Sequence, residues 1–96
     1  MRYQPVTGTQ FAEIGNRLRI IRVAHDMTAR AFAEFVGIAE QSYYQYERGI
    51  GGISFDGLRK IRERTGFTTD YLLTGDEGTL QVRHVQMIKD VLQGTE

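Results

Sequence analysis

Two short helical patterns joined by only two residues constrain the fold of this 96-residue chain more than any other feature. The first pattern begins at Thr28, whose hydroxyl can accept a hydrogen bond from a free backbone N–H of the first turn. It ends at Gly37, because a residue without a Cβ adopts the left-handed conformation of a helix end at the lowest cost. The second pattern occupies about residues 40–47. The sequence therefore predicts two helices joined by a glycine-containing turn of three or four residues, which is one of the compact supersecondary motifs.

Helical signals continue on both sides of this motif. Before it, Thr9 is a candidate helix cap, and apolar residues then recur at spacings of three and four. This apolar stripe consists of Phe11, Ile14, Leu18 and Ile21. After the motif, cap residues and glycines bound further helices at about 55–65, 68–75 and 80–92. We therefore expect an all-α fold with a flexible arm at 1–8, a five-helix bundle at 9–75 and a C-terminal helix at 79–93.

Composition and motif content argue against several classes of protein. The chain has no cysteine and no cluster with metal-ligand spacing, so we expect no metal site and no cofactor. No apolar run is long enough to cross a bilayer and no secretory signal is visible, which predicts a cytoplasmic protein without a membrane partner. His25 and His84 lie far apart in sequence, and both are expected at the surface. Because Ser42 and Ser54 also have ready structural roles, we expect no catalytic residue and no enzyme activity.

The charged residues are distributed unevenly, although the formal net charge is +0. Basic residues form one group early in the chain and a second group at 59–64, whereas the segment after Phe67 is acidic. The early group consists of Arg17, Arg19, Arg22 and Arg30. Because affinity for nucleic acid depends on basic side chains that neutralise phosphates, a basic face can coexist with a neutral total. The charge distribution alone is equally consistent with charged residues that are scattered over a solvated surface.

Four fragments in a fixed order link the predicted helices to a known family. They are residues 14–19 (IGNRLR), 32–38 (FAEFVGI), 46–49 (YERG) and 70–75 (DYLLTG). In order and spacing they resemble the Cro/lambda-repressor-like, or Xre-type, helix-turn-helix family over about two thirds of the chain. The resemblance implies a five-helix lambda-repressor-like helix-turn-helix bundle, here followed by a C-terminal helix. It also implies that the third helix enters the major groove of double-stranded DNA.

The third helix has an exposed face whose side chains can reach base edges. Opposite Tyr43 and Tyr46, which share the predicted buried face, lie the expected base contacts Glu40, Gln41, Tyr44 and Gln45. A glutamine both donates and accepts, which suits adenine, whereas the ionised Glu40 only accepts and favours a cytosine amino group. Tyr44 offers its ring to a thymine methyl group and its hydroxyl to a base or a phosphate. The alternative for this face is a merely solvated polar surface.

Phosphate contacts are expected near the starts of the second and fourth helices and at the end of the third, because backbone N–H groups and basic side chains bind phosphates. The candidates are Thr28, Ala29 and Arg30, then Arg48, and then Gly51, Gly52 and Ile53. The alternative for the glycine-rich loop is a plain connector. A nucleotide-cradling loop is not expected, because no Lys-Ser or Lys-Thr pair follows the glycines.

The resemblance assigns a structural role to Arg22 and Glu47, which in this family form an ion pair between the first helix and the end of the third. Several residues depart from the family pattern and leave affinity and target open. Ala29 replaces a common glutamine, Glu40 places a negative charge at the first base-contacting position, and Tyr43 replaces an aliphatic core residue. The other departures are Ile53 in place of proline, and Arg62 and Thr65 at usually apolar positions.

From these features we expect a sequence-specific, repressor-like transcriptional regulator of bacterial or phage type. A helix-turn-helix regulator of this kind binds a palindromic operator as a homodimer, since its half-sites lie about one helical turn apart. The last helix is the expected dimerisation element, through Val85, Ile88, Val91 and Leu92. The alternative is that this helix packs on its own bundle.

A second hypothesis is a protein-interaction module of antitoxin-like or anti-repressor type with weak or no DNA binding. Ala29, Glu40 and the zero net charge motivate this hypothesis, which predicts a protein partner. A third hypothesis is a helical adaptor whose fifth and sixth helices hold a peptide.

Overall fold

The computed structural model describes residues 10–94, which form six α-helices and, within this range, no strand. The helices are α1 (Gln10–Ala24), α2 (Ala29–Val36), α3 (Glu40–Glu47), α4 (Phe55–Thr65), α5 (Thr69–Thr74) and α6 (Val82–Gly94). The predicted all-α fold is confirmed. The predicted arm at 1–8 and the predicted cap at Thr9 lie outside the described residues.

Side-chain caps explain where α2, α4 and α5 begin. The hydroxyls of Thr28, Ser54 and Thr68 each accept a hydrogen bond from the backbone N–H three residues later, at 3.1, 3.0 and 3.2 Å respectively. At its other end, α2 stops at Gly37, whose φ of 84° lies in the left-handed region that favours glycine. Residues 37–39 alone join α2 to α3, so the short turn predicted from the sequence is present.

The last helix, α6, begins at Val82, two residues later than the predicted start at about Leu80. The N–H of Leu80 donates to the carbonyl of Glu77 at 3.1 Å, so Leu80 closes a separate turn. The carbonyl of Gln81 then accepts hydrogen bonds from the N–H groups of His84 and Val85 at 3.0 and 3.1 Å. The helical hydrogen bonds therefore start only after the turn is complete.

Helix α1 is at the centre of the bundle. It packs against α3, α5 and α6, while α2 packs against α3 and α4. The completely buried side chains are Leu18, Ile21, Phe32, Tyr43, Ile61, Phe67 and Leu72. Burying a large apolar side chain stabilises a fold by about 1.5–3 kcal/mol. Helix α3 packs against both α1 and α2 and buries Tyr43, and its remaining face is exposed to solvent.

The prediction that both histidines are surface residues is wrong for His84, which is only 2% exposed. Its ring stacks on that of Phe67, with the centroids 4.4 Å apart, because α6 folds back onto the bundle. Burial lowers the pKa of His84, and the charge of Arg83 lowers it further. His25 is half-buried, and its Nδ1 lies 2.8 Å from the carbonyl oxygen of Ile21.

Thr65 shows how the bundle accommodates a polar side chain at a position that is usually apolar in the family. Its side chain is buried, its hydroxyl donates to the carbonyl of Ile61 at 2.7 Å, and it accepts from the N–H of Phe67 at 3.1 Å. Because the hydroxyl is satisfied as donor and as acceptor, its burial leaves no uncompensated polar group. Arg62, the other such departure on α4, is exposed.

Candidate nucleic-acid interface

Helix α3 meets α1 through a close backbone approach at Gly15. A Cβ on Gly15 would lie 2.7 Å from the carbonyl oxygen of Tyr46, and nearer still to that of Glu47. Real Cβ atoms do not approach backbone oxygens this closely, so a side chain here would push the two helices apart. The C-terminal end of α3 therefore rests directly on α1.

The ion pair that the resemblance assigns to Arg22 and Glu47 lies at this same junction. Nε and Nη2 of Arg22 donate to the two carboxylate oxygens of Glu47 at 2.9 and 3.0 Å. The third guanidinium nitrogen, Nη1, donates to the carbonyl of Met27 at 3.0 Å. The two side chains are 18% and 14% exposed, and the hydrogen bonds to Glu47 raise the pKa of Arg22. One guanidinium therefore connects the end of α3 to the turn between α1 and α2.

Tyr43 completes this network from inside the core. Its side chain is completely buried, and its hydroxyl donates to Oε2 of Glu47 at 2.5 Å. Burial raises the pKa of Tyr43, and the hydrogen bond to the Glu47 carboxylate raises it further. The ring lies 5.5 Å from that of Phe32 on α2, measured between centroids. The hydroxyl that distinguishes Tyr43 from an aliphatic residue thus has a defined acceptor.

The four predicted base contacts lie together on the exposed side of α3. Glu40, Gln41, Tyr44 and Gln45 are all exposed, in contrast to Tyr43. Two of them are linked, because the hydroxyl of Tyr44 donates to Oε2 of Glu40 at 2.9 Å. This hydrogen bond raises the pKa of Tyr44. The face therefore combines two glutamine amides with a tyrosine–carboxylate pair.

The predicted phosphate contacts lie in three places around α3. Thr28 and Arg30 are exposed at the start of α2, whereas Ala29 is half-buried. Arg30 extends toward α3, with its Nε 3.9 Å from Oε1 of Glu40. Arg48 is exposed directly after α3. In the loop before α4, Gly51 and Gly52 are exposed and Ile53 is half-buried.

Two side-chain hydrogen bonds along α3 are not among the sequence predictions. They join Tyr43 to Glu47 and Tyr44 to Glu40. Each pair is four residues apart, a spacing that brings two side chains to the same face of a helix. That spacing is visible in the sequence and is the signal that identifies both pairs.

Comparison with known proteins agrees with this geometry. A family model described as helix-turn-helix matches residues 18–72, which is more than half of the chain. The chain belongs to the helix-turn-helix family. A relative from Bacillus subtilis (strain 168), named "SPbeta prophage-derived uncharacterized HTH-type transcriptional regulator YonR", is 34% identical over 61 residues, which cover 64% of this chain and 56% of the relative. The match therefore spans just over half of the relative's length, and no solved structure matches the chain.

Within this helix-turn-helix domain, the basic group at 59–64 is largely bonded to the protein itself. Lys60 donates to the carbonyl of Gly37 at 3.0 Å, and Arg64 donates to the carbonyl of Phe35 at 2.8 Å. These carbonyls lie at the end of α2, where a helix has no intrahelical donors left to satisfy them. Arg59 pairs with two carboxylates of its own helix at 2.6 and 3.0 Å. The group thus braces the helix-turn-helix motif from α4.

The four residues predicted as dimer contacts on α6 do not share one exposed surface. Ile88 and Val91 are buried, Val85 is half-buried, and Leu92 is 59% exposed. Because α6 packs against α1, Ile88 and Val91 belong to the same hydrophobic core as buried residues of the preceding helices. Beside them, a groove of about 290 Å³ separates the ends of the two helices. Its lining residues are Val23, Ala24, Met87, Asp90, Val91 and Gly94.

Two other kinds of feature are missing from residues 10–94. No helix in this range combines the length and the apolar character that a membrane span requires. No group of three or more histidine, aspartate or glutamate side chains in the same range is arranged to hold a metal ion.

Proposed function

We propose that this chain is a sequence-specific, DNA-binding transcriptional regulator of repressor-like type that inserts α3 into the major groove of double-stranded DNA. The observation that carries the proposal is the division of α3 into two faces. Tyr43 is completely buried, whereas Glu40, Gln41, Tyr44 and Gln45 are exposed. The family, and the description of the bacterial relative as a transcriptional regulator, support the same function.

The way α3 is held suits base recognition. The major groove is about 12 Å wide and admits one helix, whose side chains discriminate between bases only if the helix is held at a fixed angle. The close approach at Gly15 and the ion pair of Arg22 with Glu47 both act on the C-terminal end of α3. They leave the N-terminal side chains, which in this class of protein contact the base edges, facing outward.

Phosphate contacts are proposed on both sides of α3. At the start of α2, the N–H of Ala31 is bonded to Thr28, and the N–H groups of Ala29 and Arg30 precede it at the positive end of the helix dipole. Arg48 supplies a basic side chain after α3. The backbone N–H groups of the loop before α4 supply the third contact, through Gly51, Gly52 and Ile53.

We further propose that the protein binds its operator as a homodimer, with α6 at the dimer contact. Leu92 supports this arrangement, because a large apolar side chain that is 59% exposed is stabilised when a second copy covers it. Light scattering is expected to give a dimeric mass for the full chain and a monomeric mass for Leu92→Glu. A full chain that stays monomeric at high concentration contradicts the dimer.

DNA binding is tested with the purified full chain and a fragment that carries the upstream region of its own gene. Excess random DNA is included, and the titration is repeated at two salt concentrations. A regulator that binds its own operator is expected to retain the fragment against the competitor and to bind more weakly at the higher salt concentration, since bound phosphates release counterions. Binding no tighter than to random DNA counts against this fragment as the operator and favours the second candidate function.

The second candidate is a protein-interaction module with weak or no DNA binding. It is favoured by the internal bonding of the basic group at 59–64 and by the carboxylate of Glu40 at the front of the exposed face. This candidate predicts that the chain co-purifies with a protein partner from its own host. Substitutions on the exposed face of α3 should then weaken that complex.

A further inference from the structure

The starts of α2 and α3 bring three side chains together in front of the proposed DNA-binding face. The hydroxyl of Tyr44 donates to Oε2 of Glu40 at 2.9 Å, and Nε of Arg30 lies 3.9 Å from Oε1 of the same carboxylate. Glu40 is the first residue of α3, and Arg30 comes from the first turn of α2. A carboxylate at the front of the recognition helix is thus flanked by a hydroxyl from its own helix and a cation from the neighbouring one.

We propose that Arg30, Glu40 and Tyr44 form one unit that selects a cytosine in the operator. Glu40 contacts the base, and Arg30 and Tyr44 are positioning residues that orient its carboxylate and compensate its charge. The inference rests on the proposed DNA-binding function, and it changes two of the roles expected from the sequence. The side chain of Arg30 acts mainly on Glu40 rather than on a phosphate, whereas its backbone N–H keeps the phosphate role proposed above. The hydroxyl of Tyr44 acts on Glu40 rather than on a base.

The two carboxylate oxygens of Glu40 have different partners. Oε2 accepts the hydrogen bond from Tyr44, which restrains the position of the carboxylate. The distance of 3.9 Å from Arg30 to Oε1 is too long for a hydrogen bond, which needs about 2.7–3.2 Å between nitrogen and oxygen. Arg30 therefore contributes charge without occupying the acceptor sites of Oε1. This oxygen can still accept a hydrogen bond from a base.

The acceptor-only chemistry of Glu40 distinguishes cytosine from the other bases. In the major groove cytosine presents an N4 amino donor, whereas guanine presents only the acceptors N7 and O6, and thymine presents O4 and a methyl group. Adenine has an N6 donor, but its N7 acceptor lies beside it and repels a carboxylate. An oriented and ionised Glu40 therefore favours cytosine over each alternative.

Arg30 compensates the negative charge that Glu40 brings close to the DNA phosphates. A carboxylate that enters the groove approaches two phosphate backbones and is repelled by both. The Arg30 side chain is 82% exposed and carries the opposite charge to the same place. The unit as a whole is close to neutral once Glu40 and Arg30 are counted together. This compensation lets an acidic side chain occupy the leading position of a DNA-binding helix.

The decisive experiment selects duplexes from a randomised DNA library with the full chain. The wild type should enrich one motif with a cytosine at a defined position. Glu40→Gln should enrich the same motif except at that position, where the preference for cytosine falls about tenfold and shifts toward adenine. Glu77→Gln, which removes one negative charge from the exposed connection before α6, is the matched control and should leave the motif unchanged.

The selection distinguishes a failure of the cytosine unit from a failure of sequence-specific DNA binding. If the wild type enriches no motif, the proposed sequence-specific binding fails and the cytosine unit fails with it. If the wild type and Glu40→Gln enrich identical motifs, DNA binding stands and the cytosine unit is overturned. Circular dichroism of each variant should match the wild type, because the substituted side chains are exposed.

The positioning roles are tested separately by titration with the selected duplex and its cytosine-substituted form. Tyr44→Phe should reduce the discrimination between them about threefold, as expected for one lost hydrogen bond. Tyr46→Phe is the control, because it removes a hydroxyl from a half-buried side chain of α3 that lies outside the exposed face. Equal discrimination by Tyr44→Phe and the wild type overturns the role of Tyr44.

Arg30 is tested in two backgrounds. If it compensates the carboxylate, Arg30→Gln should weaken binding to the selected duplex several-fold in the wild type and much less when Glu40 is already glutamine. A residue that only contacts a phosphate gives the same loss in both backgrounds. Equal losses therefore overturn the role proposed for Arg30.

Discussion

Helices α3 and α6 both pack against α1, but different forces hold them there. At α3, polar groups meet and satisfy one another: Arg22 bonds both oxygens of Glu47, and Tyr43 donates to one of them. Helix α6 instead contributes the buried apolar side chains of Ile88 and Val91 to the core. Its His84 stacks on Phe67 in the connection between α4 and α5, and the buried Nδ1 of His84 has no hydrogen-bond partner within residues 10–94. The same core helix is thus joined to one neighbour by directed bonds and to the other by apolar packing.

The difference is informative because the two kinds of contact constrain a helix differently. Apolar packing stabilises in proportion to buried area and has little directional preference. A bidentate ion pair also fixes the angle and register of the helix that carries it. A largely buried ion pair adds little net stability, so its main effect here is to fix how α3 is oriented on α1. Helix α3, the proposed recognition helix, is the one whose orientation is fixed in this way.

Arg22→Ala breaks the polar junction most severely. The substitution leaves Glu47 largely shielded from water without its cation, which should lower the free energy of unfolding by about 3 kcal/mol. Urea denaturation measures this loss, and Arg19→Ala, at an exposed position of the same helix, is the control. Thermal and urea stability equal to the wild type would show that the network does not hold α3.

Gly15→Ala tests the same junction through its backbone. The added methyl group would lie within 2.7 Å of a backbone oxygen of α3, so the helices must separate, at a cost of about 2 kcal/mol. Gly94→Ala in α6 is the matched control, since a Cβ there meets no atom within 4 Å. Similar unfolding free energies for the two variants contradict the close approach.

Tyr43→Phe removes one bond of the network and keeps the ring. The loss in unfolding free energy should be about 1 kcal/mol, because Glu47 retains both hydrogen bonds to Arg22. Measured beside Arg22→Ala and the double variant, it should be non-additive, since both substitutions act on one carboxylate. Simple additivity of the two losses means that Tyr43 packs in the core without taking part in the network.

The smallest effect is expected at the α6 contact and depends on pH. Burial and the charge of Arg83 lower the pKa of folded His84, so the unfolded chain, in which histidine titrates near pH 6.5, binds its proton first as the pH falls. Stability is therefore fully present above about pH 6.5 and declines below it, until folded His84 is protonated too. His84→Phe should flatten this decline between pH 7.5 and 5.5. If the variant loses as much stability as the wild type over this pH range, titratable groups other than His84 cause the loss.

Local signals in the sequence define much of the fold. Thr28 and Gly37 bound α2 through interactions within one or two turns, so the residues themselves carry the prediction. The resemblance adds Arg22 and Glu47, which are 25 residues apart and which no local pattern connects. The exposed face of α3 follows from helical periodicity once Tyr43 is placed in the core.

Contacts that depend on how the helices pack against one another could not be predicted from local signals in the sequence. Lys60 bonds the carbonyl of Gly37 only because α4 crosses the end of α2, and the chain between them gives no sign of it. The approach of Arg30 to Glu40 likewise depends on the crossing of α2 and α3. Burial of His84 requires α6 to fold back, and its apolar stripe fits a dimer contact and an intramolecular one equally well.

If the exposed face of α3 discriminates between DNA sequences, removal of its two glutamine side chains should abolish that discrimination. The most direct test titrates the wild type and the double variant Gln41→Ala/Gln45→Ala into the selected duplex and into random duplex at one salt concentration. The wild type should prefer the selected duplex by about a thousandfold or more, and the variant should lose most of this preference while its weak binding to random DNA persists. A variant that discriminates as well as the wild type contradicts the claim that α3 reads the bases.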